Sequence, residues 1–353
     1  MDQNRKIARE ELRELVTFYC GTKRRILKYY CMKREARRRR PRKMSEAKKE
    51  DRIELQNVVI LGAGTMGKQI AVQCAAHGCD VTLYDIDPGV LSRVKDEVAG
   101  IVGWLSAHGH IQAEKRDSIM SRIRIETDCA SASVRADLVI ECVFEDLEAK
   151  RAVFRAVGVH CPEHTIYATN TSSFTASMLL DSCAKPARLA ALHFHLPVWT
   201  SNVADVMPHP GTDPEVVETL SRFAQRIGQI VITYKREVHG YIFNSMFGAM
   251  QRQALDLVID GVASIEDVDR AWMGIFKMPI GPFGMMDQIG LDTIQKITLY
   301  WARELNDPAA EKRAAFLEKL TAQGFCGAKT NRGFYTYPGP AYAQADFLQK
   351  RQR

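Results

Sequence analysis

Between Asn170 and Asp205 the chain carries Asn170-Thr171-Ser172-Ser173, then His193-Phe194-His195, then a carboxylate at Asp205. A hydroxyl, an imidazole and a carboxylate, each at or near the end of a short apolar segment, can take a proton from an alcohol while another group accepts hydride. A hydride acceptor should therefore bind upstream. Residues 57–67 read Asn-Val-Val-Ile-Leu-Gly-Ala-Gly-Thr-Met-Gly, an apolar run entering a glycine-rich turn, with an amphipathic helix pattern from about Thr65 to His77. Strand, turn and helix in that order are the setting of a dinucleotide fingerprint. In it Gly62 permits the tight turn, Gly64 lets a pyrophosphate approach the backbone and Gly67 lets helix and strand pack closely. Thr65 and Met66 open the helix whose N-terminus faces the phosphates. A second strand, Asp80 to Tyr84, ends at Asp85, 18 residues past Gly67, where a carboxylate suits the adenosine ribose hydroxyls. Alone, Asp85 would read as a solvated turn residue before Pro88. With the glycine loop it points to a dinucleotide, and an acid there repels a 2′-phosphate, which favours NAD over NADP.

The elements that must hold these residues alternate. Helical patterns run from about Gly89 to Ala107 and Ala113 to Ser121, and a strand from Ala136 to Cys142 leads through a loop into the helix that carries Lys150. Strands follow at Thr165 to Ala168, Leu189 to His193 and Ile230 to Thr233, separated by helices Phe174 to Ser182 and Pro214 to Ile227. Alternation of this kind predicts a Rossmann-type, doubly wound, mostly parallel sheet. From about Gly240 the pattern changes to long apolar-periodic helices, Tyr241 to Asp260, Ile265 to Met273 and Gly290 to Leu305. The expected organisation is thus an extension over 1–54, an NAD-binding α/β domain over 55–238, an all-α domain for substrate and dimer contacts over 239–338, and a tail over 339–353. Residues 234–240 are the expected hinge.

Charge is divided unevenly. The formal charge is +7, but residues 1–43 hold 16 Lys and Arg against 5 Asp and Glu, and the remaining 310 hold 33 against 37. The basic character belongs to the extension, with its run Arg37-Arg38-Arg39-Arg40-Pro41-Arg42-Lys43 and an amphipathic stretch at Leu12, Leu15, Val16 and Phe18. Met44 is a plausible alternative start, so these residues read as a disordered or non-native appendage rather than a nucleic-acid arm. Acidic Asp2, Glu10, Glu11 and Glu14 disfavour a transit peptide. No run approaches the roughly 20 apolar residues of a membrane span. The nine cysteines contain no C-x-x-C pair, which indicates neither a zinc site nor a disulfide framework and fits a reducing, cytoplasmic setting. His193 and His195, two apart on a strand end, share a side and hint at a metal. Without a Cys or a third spaced ligand nearby, no metal is expected.

With those motifs in place the chain resembles the L-3-hydroxyacyl-CoA dehydrogenase family over about residues 55 to 338. Gly62-Ala-Gly-Thr-Met-Gly67, Glu145-Asp-Leu-Glu-Ala-Lys150, Asn170-Thr-Ser-Ser173, His193-Phe194, Gly240-Tyr-Ile-Phe-Asn244, Pro279-Ile-Gly-Pro-Phe283 and Asn331-Arg-Gly-Phe-Tyr335 stand in the family's order and approximate spacing. Such an ordered set is specific for the family and less so for the substrate, because the L-gulonate 3-dehydrogenase (λ-crystallin) branch and carnitine dehydrogenase share much of it. Met207-Pro-His-Pro-Gly-Thr212 looks somewhat like that branch.

The resemblance implies NAD-dependent oxidation of a 3-hydroxyl, as in fatty-acid β-oxidation, by a dimer joined through its helical domain. His193 would be the general base and Asp205 would take the place of the family's glutamate, fixing the histidine tautomer. Ser172 and Asn244 would hold substrate oxygens, and Glu145, Lys150 and Asn170 would line the nicotinamide side of the cofactor cleft. Ser173 is expected to cap the helix from Phe174. Two departures bear on substrate choice. His193-Phe194-His195-Leu196-Pro197 replaces the family's His-Phe-Phe-Asn-Pro, and Trp199 and Asn202 replace smaller or basic residues beyond it. A free 3-hydroxy acid such as gulonate or carnitine is the enzymatic alternative, and a non-catalytic NAD-binding structural protein is a third. A carboxylate one methylene shorter than glutamate must either draw His193 closer or reach it through water.

Overall fold

The computed structural model describes residues 54–349. The basic extension, with its arginine run and amphipathic stretch, lies outside the described residues. Eight strands form one sheet in the order β3-β2-β1-β4-β5-β6-β7-β8. They are β1 Asn57–Leu61, β2 Asp80–Tyr84, β3 Ile123–Glu126, β4 Leu138–Glu141, β5 Ile166–Thr169, β6 Leu189–Phe194, β7 Val203–Pro208 and β8 Ile230–Thr233. All neighbours pair parallel except β6 and β7. β4 and β5 are buried along their whole length, as strands covered by helices on both faces must be. The order reverses between β1 and β4, the topological switch point where doubly wound folds bind ligands.

Helices Thr65–Ala76, Pro88–Ala107, Leu147–Gly158 and Pro214–Arg226 flank this sheet, close to the expected bounds. Asp87 and Asp146 start two of them by accepting backbone N–H bonds from Gly89 at 2.7 Å and Ala149 at 2.8 Å. Sequence pattern misses β3, a four-residue edge strand with alternating Arg124 and Glu126, and sets no bounds for β7. It also misses the short helix Cys129–Ser133. The helix expected from Phe174 is instead a 3-10 helix over Ala176–Ser182, preceded by Thr175 without a side-chain cap. Ser173 therefore caps nothing; its N–H is turned to Glu145 at 2.8 Å.

The helical part comprises Tyr241–Ile259, Ile265–Phe276, Pro282–Ile289, Leu291–Leu305 and Pro308–Thr321, two helices more than the apolar periodicity indicates. Both extra helices open on proline, which suits the first helical turn. Their core joins Leu255, Phe283, Met286, Leu291, Leu317 and Tyr335. Asp269 and Asp287 are fully buried within it and explain two motifs that periodicity cannot. Asp269 accepts from Phe283 N at 2.8 Å, Gly284 N at 3.0 Å and the Tyr335 hydroxyl at 2.9 Å. Asp287 accepts from the N–H groups of Phe334 and Tyr335, each at 2.9 Å. Backbone groups that would otherwise be orphaned are thus satisfied. In the connecting segment at 234–240 Tyr234 is buried, and Glu237 accepts from Ser177 N at 2.9 Å. Among the described residues no helix is long and apolar enough to cross a membrane.

Candidate active site

The antiparallel register of β6 and β7 sets His193 directly opposite Asp205. Opposed residues of such a pair bring their side chains within contact range on one face, and His193 Nδ1 lies 3.0 Å from Asp205 Oδ2. The shorter carboxylate therefore reaches the imidazole directly. An ionised carboxylate only accepts, so Nδ1 carries the proton and the Nε2 lone pair is free. That nitrogen faces the Ser172 hydroxyl at 3.2 Å. His193 and Asp205 are 4% and 2% exposed, whereas Ser172 stands at an open edge that a substrate can reach.

Asp205 has further donors. The Tyr234 hydroxyl gives to Oδ1 at 2.8 Å, and His195 Nε2 gives to Oδ2 at 3.0 Å. Burial alone would push this carboxyl up, but bonds from His193, His195 and Tyr234 outweigh it and hold the group well below the usual carboxylate range. Burial lowers the proton affinity of His193, partly offset by its bond to Asp205, and His195 lowers it further. Tyr241 lies flat on the His193 ring, with centroids 4.4 Å apart and planes at 10°. Its backbone is left-handed, φ 52°, a conformation rare for a bulky residue, and its hydroxyl is tied to Thr171 O at 2.9 Å. The atoms of His193, His195 and Asp205 lie within 4.8 Å of one another, close enough in principle to hold a metal. Both imidazole nitrogens spend their N–H on the carboxylate, so the arrangement is a hydrogen-bonded trio.

A second cluster, buried at Glu141 and Lys150 and open to solvent at Glu145, stands beside it at the ends of β4 and β5. Lys150 Nζ lies 2.8 Å from Glu141 Oε1 and 3.0 Å from Glu145 Oε2. Burial would lower the lysine's proton affinity, but the two carboxylates outweigh it and keep it charged. Glu145 Oε1 in turn accepts from the Thr171 hydroxyl at 2.5 Å, Ser172 N at 2.9 Å and Ser173 N at 2.8 Å. The cluster thereby fixes the turn that presents Ser172 to His193. Asn170 ties β5 to β6, its Oδ1 accepting from Phe194 N at 2.8 Å.

The glycine loop lies at the switch point. Gly62 holds φ +105°, and a Cβ there would meet Cys142 O at 2.6 Å; a Cβ on Gly67 would lie 1.9 Å from Gly62 O. A Cβ added at Gly64 would meet nothing within 4 Å. The helix from Thr65 and Met66 starts with no side-chain cap, leaving its N-terminal N–H groups for a phosphate. Asp85 sits at the end of β2 with Oδ2 on Ala63 N at 2.8 Å. These residues fit a dinucleotide: the cradle admits only glycine at two positions and is open at the third.

The structure brings together His193, Asp205, Ser172, Glu145 and Lys150. Asn244, one turn into its helix, makes no hydrogen bond to Ser172 or His193 among the described residues. Glu141, Tyr234 and Tyr241 join the site without having been singled out by sequence, and His195, which sequence marked only as a departure from the family motif and a weak metal hint, joins it as a donor to Asp205. Tyr241 could have been, from its place in the Gly240-to-Asn244 motif; Tyr234 depends on the β7 and β8 pairing, which no local pattern announces. Trp199 packs against Trp104, ring centroids 6.0 Å apart, and both line a surface hollow of about 510 Å³ with Thr65, Lys68 and Gln69.

Comparison with known proteins agrees with this geometry. Residues 57–238 match the 3-hydroxyacyl-CoA dehydrogenase NAD binding domain and residues 240–337 the C-terminal domain of the same family. A probable 3-hydroxyacyl-CoA dehydrogenase of Caenorhabditis elegans is 32% identical over 287 residues, covering 80% of this chain and 96% of its own length. The mitochondrial hydroxyacyl-coenzyme A dehydrogenase of Homo sapiens is 31% identical over 291 residues, covering 81% and 92%. The solved structure of a diketoreductase that acts on dicarbonyl compounds superposes with a TM-score of 0.75 at 35% identity, covering 81% of this chain and all of the other. The chain belongs to the 3-hydroxyacyl-CoA dehydrogenase family and is an NAD-dependent dehydrogenase.

Proposed function

We propose that the protein interconverts an L-3-hydroxyacyl-CoA and its 3-ketoacyl-CoA, with His193 as the general base. The observation that carries this reading is the direct line Asp205 Oδ2, His193 Nδ1, His193 Nε2, Ser172 Oγ, with contacts of 3.0 and 3.2 Å. In oxidation the substrate 3-hydroxyl gives its proton to Nε2 and the C3 hydrogen leaves as hydride. Bound NAD supplies the hydride acceptor. Asp205 stabilises the imidazolium that forms, and in reduction the same proton returns to the carbonyl oxygen. Ser172 holds the reacting oxygen beside Nε2, and Asn244 faces the same substrate from the helical part. An imidazole suits both directions because its ordinary pKa, about 6.5, lies near working pH. Glu145, Lys150 and Asn170 order the strand ends that line the nicotinamide side.

We further propose a homodimer through the helical part, supported by the exposed apolar side chains of Phe243, Met246, Ile297 and Tyr300. Met250 and Leu257 on the same helix are only partly exposed.

A smaller substrate without CoA is the second reading. It is favoured by the likeness to the diketoreductase and by His195 and Leu196 standing where the family has Phe and Asn. NADH oxidation by the full chain with acetoacetyl-CoA, set beside a simple diketone and beside NAD reduction with gulonate and with carnitine, separates the two. Turnover of acetoacetyl-CoA at least tenfold above the others in kcat/KM supports the CoA reading. Activity confined to the small substrates overturns it.

A further inference from the structure

We propose that His195 is a positioning residue for the base: its Nε2 donates to the same Asp205 oxygen that holds His193 Nδ1, dividing that oxygen between two imidazoles. The proposal rests on His193 acting as the base, as proposed above. Its footing is geometric. His195 lies two residues beyond His193, so it returns to the same face of the strand, and its contact to Asp205 Oδ2 equals that of His193, both at 3.0 Å. The two rings meet edge to face, 4.7 Å between centroids. Phe243 packs edge-on against His195 at 5.8 Å from the first helix of the helical part, so the ring is held from both domains. The His195 side chain is 18% exposed against 5% for His193, which places it between the buried base and solvent.

A carboxylate oxygen that already accepts one N–H is a weaker acceptor for the second. Sharing Oδ2 therefore reduces the extra stabilisation that Asp205 gives to the His193 imidazolium, and a proton on His195 reduces it further by like-charge repulsion at short range. The other groups facing the base are Glu145, Tyr234 on the far oxygen of Asp205, and Tyr241 on the ring. Glu145 favours the imidazolium; the two tyrosines stay neutral, as burial pushes both hydroxyls up. His195 is thus the neighbour that opposes protonation of the base. The effect should be to keep His193 neutral further into acid, which favours hydroxyl oxidation.

Two variants of the full chain test this. His195→Phe keeps a ring and removes the donor; His195→Gln keeps an N–H that can reach the carboxylate. In His195→Phe the acid limb of kcat/KM for hydroxyl oxidation should move to higher pH, so that activity near pH 6, relative to its own plateau, falls about three-fold. His195→Gln should move less. The imidazole signal of His193 in 15N-histidine-labelled protein, assigned by its absence in His193→Ala, should titrate at higher pH in His195→Phe. That second readout needs no substrate, so it stands even if the base assignment fails, whereas retained turnover in His193→Ala refutes the assignment alone. A lowered plateau with limb and imidazole titration both unmoved in His195→Phe would reduce His195 to packing and overturn the proposal.

Discussion

The two charged clusters at the strand ends are built from the same physics and end in different roles. Around Lys150, every group is committed: the ammonium lies between Glu141 and Glu145, Glu141 also accepts from Thr169 Oγ1 at 2.7 Å and Val143 N at 2.8 Å, and Glu145 is spent on the turn at 171–173. Around Asp205 the bonds are as numerous, but the His193 end stays open, its Nε2 keeping a lone pair aimed at Ser172. A closed network can only hold shape, and one left open at a basic atom beside a substrate-facing hydroxyl can exchange a proton. The scaffold serves the proton site, because Glu145 places Ser172.

Breaking the open end should have the largest effect on turnover. His193→Ala should lower kcat by about a thousandfold or more while leaving NADH affinity within about twofold, measured by NADH fluorescence titration and steady-state rates. Breaking the closed cluster should instead cost stability: Lys150→Met leaves Glu141 buried without its counter-charge, a loss of about 3–5 kcal/mol in urea denaturation. A full-strength fold with only a kinetic defect would show that the clusters do not divide their work in this way. Asp205→Glu adds a methylene where three donors already converge on a side chain 3% exposed. Direct pairing alone would leave the family's glutamate harmless there. Overpacking by about 1–3 kcal/mol should cost kcat/KM about tenfold, with some loss of Tm. The smallest effect belongs to Tyr234→Phe, which removes a donor from the oxygen His193 does not use; about 1 kcal/mol, or roughly five-fold in rate, is expected.

Much of this division was legible in the chain. The glycine loop, Asp85 and the strand and helix alternation specify the first domain because local chemistry dictates each: φ above zero at Gly62, contact at Gly67, an apolar strand before and an amphipathic helix after. His193 and Asp205 were legible as types, but their pairing depends on β7 running antiparallel to β6, a tertiary choice that no local period encodes. Glu141 reads as one polar residue in an apolar strand until Lys150, nine residues on, is brought back to it by the helix start at Asp146. The helix Pro282–Ile289 escaped because it is short and held by the buried carboxylates Asp269 and Asp287, and Pro308–Thr321 because its inward face is mostly small, Ala310 and Ala314 with Leu317, around a buried Arg313.

The central claim, that a buried His193 is the proton carrier for both directions, meets its most direct test in the pH dependence of kcat/KM measured both ways on the unmodified protein. Burial lowers the proton affinity of His193. Oxidation, which needs the neutral base, should therefore hold to pH values below the ordinary imidazole value of about 6.5, and reduction, which needs the protonated form, should decline as pH rises through the same group. Mirror-image limbs meeting below that value are the predicted result. Two directions that rise and fall together, or a shared limb well above neutrality, would contradict it.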